Sequence, residues 1–281
     1  MAIALSKRGF PVESIVFKGP DRPSPLRDAL PAETMFLGPG ELSGISSEVV
    51  LITTRDDQIN GTAEQIAQEA DCSGVIFLHT SGSRTSAALD ALKAKGAVTG
   101  SLHPLVSISD PFIGSDRFEG AYFCVEGDPE AVAAAGSIAE GLGGRPFEIP
   151  TDSKPLYHAA AVMACGHLVA LISEALEVLT ACGPDRETSK DILLPLIQST
   201  VGNLEEQDLP EALTGTFARA DSETFRAHLE AFDGSVSDEI ITSYLLLARR
   251  SLELAAARKA PPKGIAALAD EVDGELSGRL A

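Results

Sequence analysis

Four polar clusters in this 281-residue chain carry side chains suited to proton transfer and carbonyl chemistry. Thr53-Thr54-Arg55-Asp56 follows the apolar run EVVLITT, and His79-Thr80-Ser81-Gly82 follows GVIFLH. Ser101-Leu102-His103-Pro104 closes the run that begins at Ala97, and Lys154-Pro155-Leu156-Tyr157-His158 opens a long helical stretch. Lys154 and His158 are four residues apart, so a helix presents both on one side. An ammonium beside an imidazole can polarise a carbonyl and deliver a proton. Each residue alone has a plain structural reading, as a capping lysine or a packed histidine. Two histidines at successive strand ends, with a third nearby, favour a site. Other chemistries lack their signatures: there is no G-x-S-x-G elbow, no HExxH, and no Cys/His cluster with metal spacing. His167, set among Ala, Cys and Leu, reads as a core or interface histidine, and Phe112, Phe118, Tyr122 and Phe123 read as core.

Elements that could position these groups follow from periodicity. Val12–Lys18, Glu48–Thr54, Gly74–His79, Ala121–Glu126 and Pro146–Ile149 read as strands; Ala97–Leu105 begins as a strand and ends in a loop. Asn60–Ala70, Arg84–Lys95 and Pro129–Leu142 read as intervening helices. Such alternation predicts βαβ units and a mainly parallel sheet, whose ligands bind beyond the carboxyl ends of the strands. The near-continuous apolar character of EVVLITT and GVIFLH fits strands covered on both faces.

The character changes near Pro150. Beyond it helical periodicity prevails, with candidate helices at Lys154–Ala181, Glu187–Glu205, Ser222–Ala231, Asp238–Lys259 and Gly264–Leu276. Asp221 and Ser237 are suited to cap two of them, and Gly183-Pro184 ends the first. The expected organisation is a Rossmann-like α/β domain over 1–150, its sheet parallel with later antiparallel strands, followed by an all-helical domain over 151–281.

Composition limits the partners. Asp+Glu is 41 against Lys+Arg 22, a net charge of −19, which argues against nucleic acid and anionic membrane surfaces. With hydrophobic residues at 44%, the chain can bury a sizeable core. Cys72, Cys124, Cys165 and Cys182 form no CxxC pair and read as reduced core thiols of a cytoplasmic protein. No secretory signal is visible. The longest apolar run, Ala159–Ile172, falls short of a membrane span and reads as a buried core helix. Val162–Leu179 has too many apolar positions for one exposed face, so the helical domain is expected to form a homodimer.

The opening lacks a part. Ala2–Gly9 reads as the last two turns of a helix closed by Gly9, and Val12–Lys18 as the second strand of a dinucleotide-binding unit. The strand and G-x-G-x-x-G turn that open such a unit are not present, and the expectation is that they lie upstream. The loop Leu37–Gly44 does not follow the expected strand and is given no phosphate role. Lys18 and Arg22, at the end of the second strand, are candidates for the 2′-phosphate of NADP, in preference to NAD.

The segments HTSG (79–82), GSLHPL (100–105), EGDPEA (126–131), KPLYHAAAV (154–162) and LTGTFARAD (213–221) occur in an order and spacing that resemble the Rossmann-like proteins with a DUF2520 C-terminal domain. That group is similar in layout to the 6-phosphogluconate dehydrogenase, pyrroline-5-carboxylate reductase and ketopantoate reductase superfamily. The resemblance covers nearly the whole chain. It implies an NAD(P)H-dependent oxidoreductase with its active site in an interdomain cleft, reducing a small keto acid of ketopantoate type. In the related β-hydroxyacid dehydrogenases a helix lysine, followed four residues later by asparagine, carries the catalysis; here Lys154 is followed by His158. The resemblance therefore casts Lys154 as proton donor and carbonyl polariser and His158 as its partner or a substrate anchor, with His103 and Ser101 beside the substrate. Arg219 is the candidate anchor for a substrate carboxylate. Thr54, Asp56, His79 and Ser81 would line the cofactor side. Besides the absent glycine turn, the chain departs from the family at Ala164-Cys165-Gly166, where A-S-N is usual, and at LTGTFARAD, where LTGP-x-x-R-G-D is usual. Two other readings stand: a non-catalytic binding or assembly protein that keeps the fold, and an imine or amine reductase.

Overall fold

Alternating apolar residues become strands in the first half and amphipathic turns become helices in the second, as the computed structural model, which describes residues 1–17, 24–110 and 112–280, makes plain. The chain divides into two units, Met1–Gly166 and His167–Ala281. Thus the first helix after Pro150 belongs with the sheet, and the division falls at Gly166–His167.

The first unit runs α1 (Ala2–Lys7), β1 (Ser14–Val16), α2 (Ser24–Asp28), β2 (Met35–Leu37), β3 (Val49–Ile52), α3 (Ile59–Glu69), β4 (Ile76–His79), α4 (Asp90–Lys93), β5 (Val98–Pro104), β6 (Tyr122–Gly127), α5 (Pro129–Gly141), β7 (Arg145–Glu148) and α6 (Lys154–Ala164). Five strands form one sheet in the order β3-β4-β5-β6-β7. β3, β4 and β5 are parallel, β6 runs antiparallel to β5, and β7 is parallel to β6. β1 and β2 pair in a separate parallel sheet. A hydrogen bond of 2.6 Å from Ser47 Oγ to Glu13 Oε2 ties the approaches to β3 and β1, but no ladder joins the two sheets among the described residues.

Period two divides the large sheet into unlike faces. Leu78, Leu102 and Val125 turn to one side, into a core with α1 and α5. In register, His79 lies beside Ser101, Ser101 opposite Glu126, and His103 opposite Cys124, so these five share the other side. Phe77 shares that side too, packed with Ile52, Ile59 and Leu89.

The second unit runs α7 (Gly166–Ala181, from the division), α8 (Arg186–Glu206), α9 (Leu209–Ala212), α10 (Gly215–Ala218), α11 (Ser222–Phe232), α12 (Asp238–Ala256) and α13 (Ile265–Leu280). Its core joins Phe225 of α11, Leu245 and Leu252 of α12, and Leu268 and Val272 of α13. Asp221 accepts from Thr224 N at 3.0 Å and Ser237 from Ile240 N at 3.4 Å, the two N-caps expected.

Several sequence expectations are corrected. β5 continues to Pro104, because β6 pairs with its second half, so His103 lies within a strand and not in a loop. Arg84–Lys95 is a short 3₁₀ turn followed by α4, not one helix. Lys154–Ala181 is interrupted at Cys165. Phe118 and Phe123 are core, but Phe112 and Tyr122 are exposed; Tyr122 lies against Phe147 and the Arg145 guanidinium. Cys72 and Cys124 are buried, whereas Cys165 and Cys182 are exposed. Ala159–Ile172 is not a buried core helix: most of its side chains are exposed, that of His167 among them. The wider run Thr151–Ala181, 31 residues, is long and apolar enough to cross a membrane by length and composition.

Candidate active site

Four elements of the first unit bring the chemistry-bearing side chains together: the end of β4 and the loop after it, β5, β6, and the first turns of α6. Pro155 in the first turn of α6 suits a helix start, since its missing N–H is not needed there. From that turn Lys154 enters the interior and is fully buried. Its ammonium donates to Ser101 Oγ at 2.6 Å and to Ser81 O at 3.0 Å, and faces Glu126 Oε1 at 3.6 Å. Two hydrogen bonds and one ion pair thus hold the buried ammonium. Glu126 is also buried; its carboxylate accepts from Ser86 N at 2.8 Å, Ser86 Oγ at 3.0 Å and Thr151 Oγ1 at 3.3 Å. Burial lowers the Lys154 pKa, with Glu126 acting in the opposite direction. The pair fastens the loop after β4 to β5, β6 and α6.

His79 organises the same loop from within. Its Nδ1 accepts from Ser81 N at 3.2 Å, which leaves Nε2–H to donate to Thr85 O at 3.0 Å. Burial first, and then the Lys154 charge, push its pKa down to about 4. Ser81 Oγ donates to Asp56 Oδ2 at 2.7 Å and accepts from Ser83 N and Arg84 N. Asp56 also accepts from Ser83 Oγ at 2.9 Å. Burial raises the Asp56 pKa, but the two serine hydroxyls and the nearby histidines outweigh it, and the net shift is downward.

His79 sets a test of this wiring. An unfolded histidine titrates near 6.5, so between pH 6.5 and 4 the unfolded chain binds a proton that folded His79 refuses. Stability therefore falls with pH over that window, by about 3 kcal/mol for this one group. Urea unfolding at pH 7 and pH 4 should show a smaller acid loss for His79→Asn than for the unaltered chain; equal losses would contradict it.

The second part of the cluster surrounds Gly82, which is itself buried. A methyl group built on Gly82 would overlap His158 Nδ1 and lie 2.8 Å from His103 Nε2. Both ring nitrogens therefore aim at one small space. The His103 and His158 rings are edge to face, with centroids 5.9 Å apart. His158 Nδ1 is buried and has no hydrogen-bond partner. His103 Nδ1 is bonded to Tyr157 Oη at 2.7 Å. Burial, then Lys154 and His158, lower the His103 pKa to about 4. Burial raises the Tyr157 pKa well above the ordinary phenol value.

The sequence candidates thus sort by place. His103, His158, Lys154, Ser101, His79, Ser81 and Asp56 form one connected cluster. Thr54, past the end of β3, has a buried hydroxyl without a partner. Arg219 ends α10 in the second unit and is exposed. Lys18 and Arg22 lie outside the described residues. Glu126, Tyr157 and Gly82 were not singled out from sequence. A glutamate inside the apolar strand AYFCVEG was the available signal for Glu126, because a buried carboxylate demands a partner. Among the described residues no cluster of three or more His, Cys, Asp or Glu could hold a metal ion.

Comparison with known proteins agrees with this architecture. Residues 121–251 match the family described as "Domain of unknown function (DUF2520)", a segment that contributes Glu126, Lys154, Tyr157 and His158 to the cluster. Among solved structures the chain is similar to protein TM1727 from Thermotoga maritima, at 22% identity and a TM-score of 0.69, over 88% of this chain and 91% of that one. Protein BF3122 from Bacteroides fragilis is similar at 21% identity and a TM-score of 0.68, over 89% and 92%. The reductive aminase from Aspergillus terreus, solved with NADPH and ethyl levulinate, is similar at 16% identity and a TM-score of 0.60, over 96% and 93%. At these identities the likeness establishes the fold. No curated protein sequence matches the chain. The resemblance first drawn from short motifs is thereby borne out: this chain joins a Rossmann-like sheet to a DUF2520 segment at residues 121–251.

Proposed function

We propose that the chain is a nicotinamide-dependent reductase of a small carbonyl compound, a keto acid in the first instance. The observation that carries this reading is the approach of His103 Nε2 and His158 Nδ1, the latter buried and unpartnered, to one point beside Gly82. A carbonyl oxygen gains negative charge as its carbon accepts hydride, and two imidazole nitrogens aimed at that oxygen stabilise the charge and protonate it. When bound, a reduced nicotinamide supplies the hydride. Solved likenesses with NADPH support the choice of cofactor.

A residue suited to the nicotinamide end is Thr54, whose unpartnered hydroxyl past β3 fits the carboxamide. No described residues supply a pyrophosphate cradle. In the loop after β2, Gly38 N donates to Glu41 Oε2 at 2.6 Å, so an approaching phosphate would meet a carboxylate. Lys154, fixed by two hydrogen bonds and an ion pair, acts as a positioning residue that holds Ser81 O and hence Gly82 in place.

Two measurements test the reading. NADPH at about 100 times its Kd should add about 2.7 kcal/mol, a rise on the order of 5–10 °C in Tm. NADPH consumption should then appear with one or more 2-keto acids and vanish in His158→Ala. Absence of both binding and turnover would favour a binding protein that keeps the fold.

The same proposal includes a homodimer through the helical unit. α7 buries only Leu176 and α8 only Ser189, while Val169 and Leu196 are 66% and 62% exposed. α8 also carries Lys190, Asp191, Glu205 and Glu206, which suits a second copy better than lipid. Light scattering should give twice 29.3 kDa, and Val169→Asp with Leu196→Asp should halve it. A single-chain mass for the unaltered protein, or its partition into lipid vesicles, would overturn the dimer.

A further inference from the structure

We infer that Tyr157 fixes the tautomer of His103, dividing the work of the two histidines: His103 is a permanent neutral donor through Nε2–H, and His158 is the proton carrier. Tyr157 is thus a positioning residue, and the pair it sets up favours a ketone or aldehyde oxygen over an iminium nitrogen. The assignment of substrate class rests on the reductase reading; the tautomer does not.

Among the described residues Tyr157 Oη is hydrogen-bonded to His103 Nδ1, at 2.7 Å. A phenol O–H is a stronger donor than a neutral imidazole N–H, and an imidazole nitrogen a stronger acceptor than a phenol oxygen, so the phenol donates. With the phenol donating, Nδ1 is an acceptor and the ring hydrogen must sit on Nε2, the nitrogen beside Gly82. Burial holds the phenol in its protonated form, and the low pKa of His103 keeps its ring neutral at physiological pH. No protein group dictates what His158 Nδ1 carries, since that nitrogen has no partner. That open nitrogen is the one placed to hand a proton to a substrate oxygen.

Burial acts most strongly on His103, followed by the charges of Lys154 and His158 of α6, Asp56 before α3 and His79 of β4. Neither carboxylate, Asp56 nor Glu126, is hydrogen-bonded to either ring; their oxygens are taken by serine and threonine donors and by Lys154. Nothing therefore competes with Tyr157 for Nδ1.

The chemical consequence is selectivity. A carbonyl oxygen has two lone pairs, one for His103 Nε2–H and one for the proton on His158. As hydride adds to carbon, the π pair of the C=O bond moves to oxygen. That oxygen takes the His158 proton, leaving a neutral imidazole and an alcohol. An iminium nitrogen has no lone pair and already bears hydrogen or carbon, so a fixed N–H donor aimed at it repels it.

Nitrogen-15 NMR of histidine-labelled protein reads the tautomer directly and does not depend on turnover. The expected result is His103 in the Nε2–H form in the unaltered protein and a loss of that preference in Tyr157→Phe. His103 found in the Nδ1–H form, or an unchanged tautomer in Tyr157→Phe, would overturn the inference; the first finding needs no variant to fold. With a keto-acid substrate, Tyr157→Phe should lower kcat about tenfold to a hundredfold with KM within about twofold, the pattern of a lost charge-stabilising donor. It should also raise turnover of cyclic imines relative to ketones. A protein that turns over no carbonyl compound but keeps the Nε2–H tautomer would sink the reductase reading and leave the role of Tyr157 standing.

Discussion

If the chain reduces a carbonyl compound as proposed, Gly82→Ala should lower kcat/KM for it about a hundredfold with the fold retained, a large effect for a single methyl group. The added carbon would occupy the space between His103 Nε2, 2.8 Å away, and His158 Nδ1. The two rings must part, or the loop after β4 must move, and either removes the common point of aim. Gly82 is not held in the left-handed backbone region, so alanine brings no conformational strain. The stability cost should stay within the range of mild overpacking, about 1–3 kcal/mol. Steady-state kinetics with a melting curve separates the two effects. Unchanged kcat/KM in a folded variant would show that substrate does not enter between the histidines.

Glu126→Ala should destabilise the protein by about 3–5 kcal/mol, because it leaves the Lys154 ammonium buried without its counter-charge. It also strips acceptors from Ser86 N, Ser86 Oγ and Thr151 Oγ1. Pairing it with Lys154→Met should recover part of the loss, since an uncompensated charge costs more than an absent pair. Denaturant titration of both single variants and the double variant completes the cycle. Strict additivity would mean that Lys154 and Glu126 do not act as a pair.

The alternation of apolar strands and helices was legible because it is a local property of spacing. EVVLITT and GVIFLH are strands β3 and β4 within two residues at each end, and Asp221 and Ser237 cap the helices they were expected to cap. β2 was not legible: its three residues, Met35–Leu37, carry too little pattern beside Gly38 and Pro39. Later antiparallel strands were expected and β6 does run against β5, but which strand would reverse, and in what register, is not a local property of the sequence. That reversal is what extends β5 and places His103 opposite Cys124. The apolar run in α6 and α7 was misread as core because hydrophobicity shows that a surface wants cover, not whether the same chain provides it. Histidines at strand ends were visible, but Tyr157, Gly82 and Glu126 gain meaning only from what they face. A phenol one residue from His158 gave no hint that its partner would be His103, 54 positions away.

The separation of β1–β2 from the five-stranded sheet bears on how the protein breathes. A two-stranded sheet of three-residue strands is marginal alone. Its amides should exchange with deuterated solvent by local opening, while those of β4 and β5, flanked by partners on both sides, wait for global unfolding. Two exchange regimes within one unit give a ligand something to report on. A dinucleotide that contacts the ends of both sheets would draw the fast amides toward the slow ones, whereas a compound confined to the histidine pair would leave the gap between them unchanged.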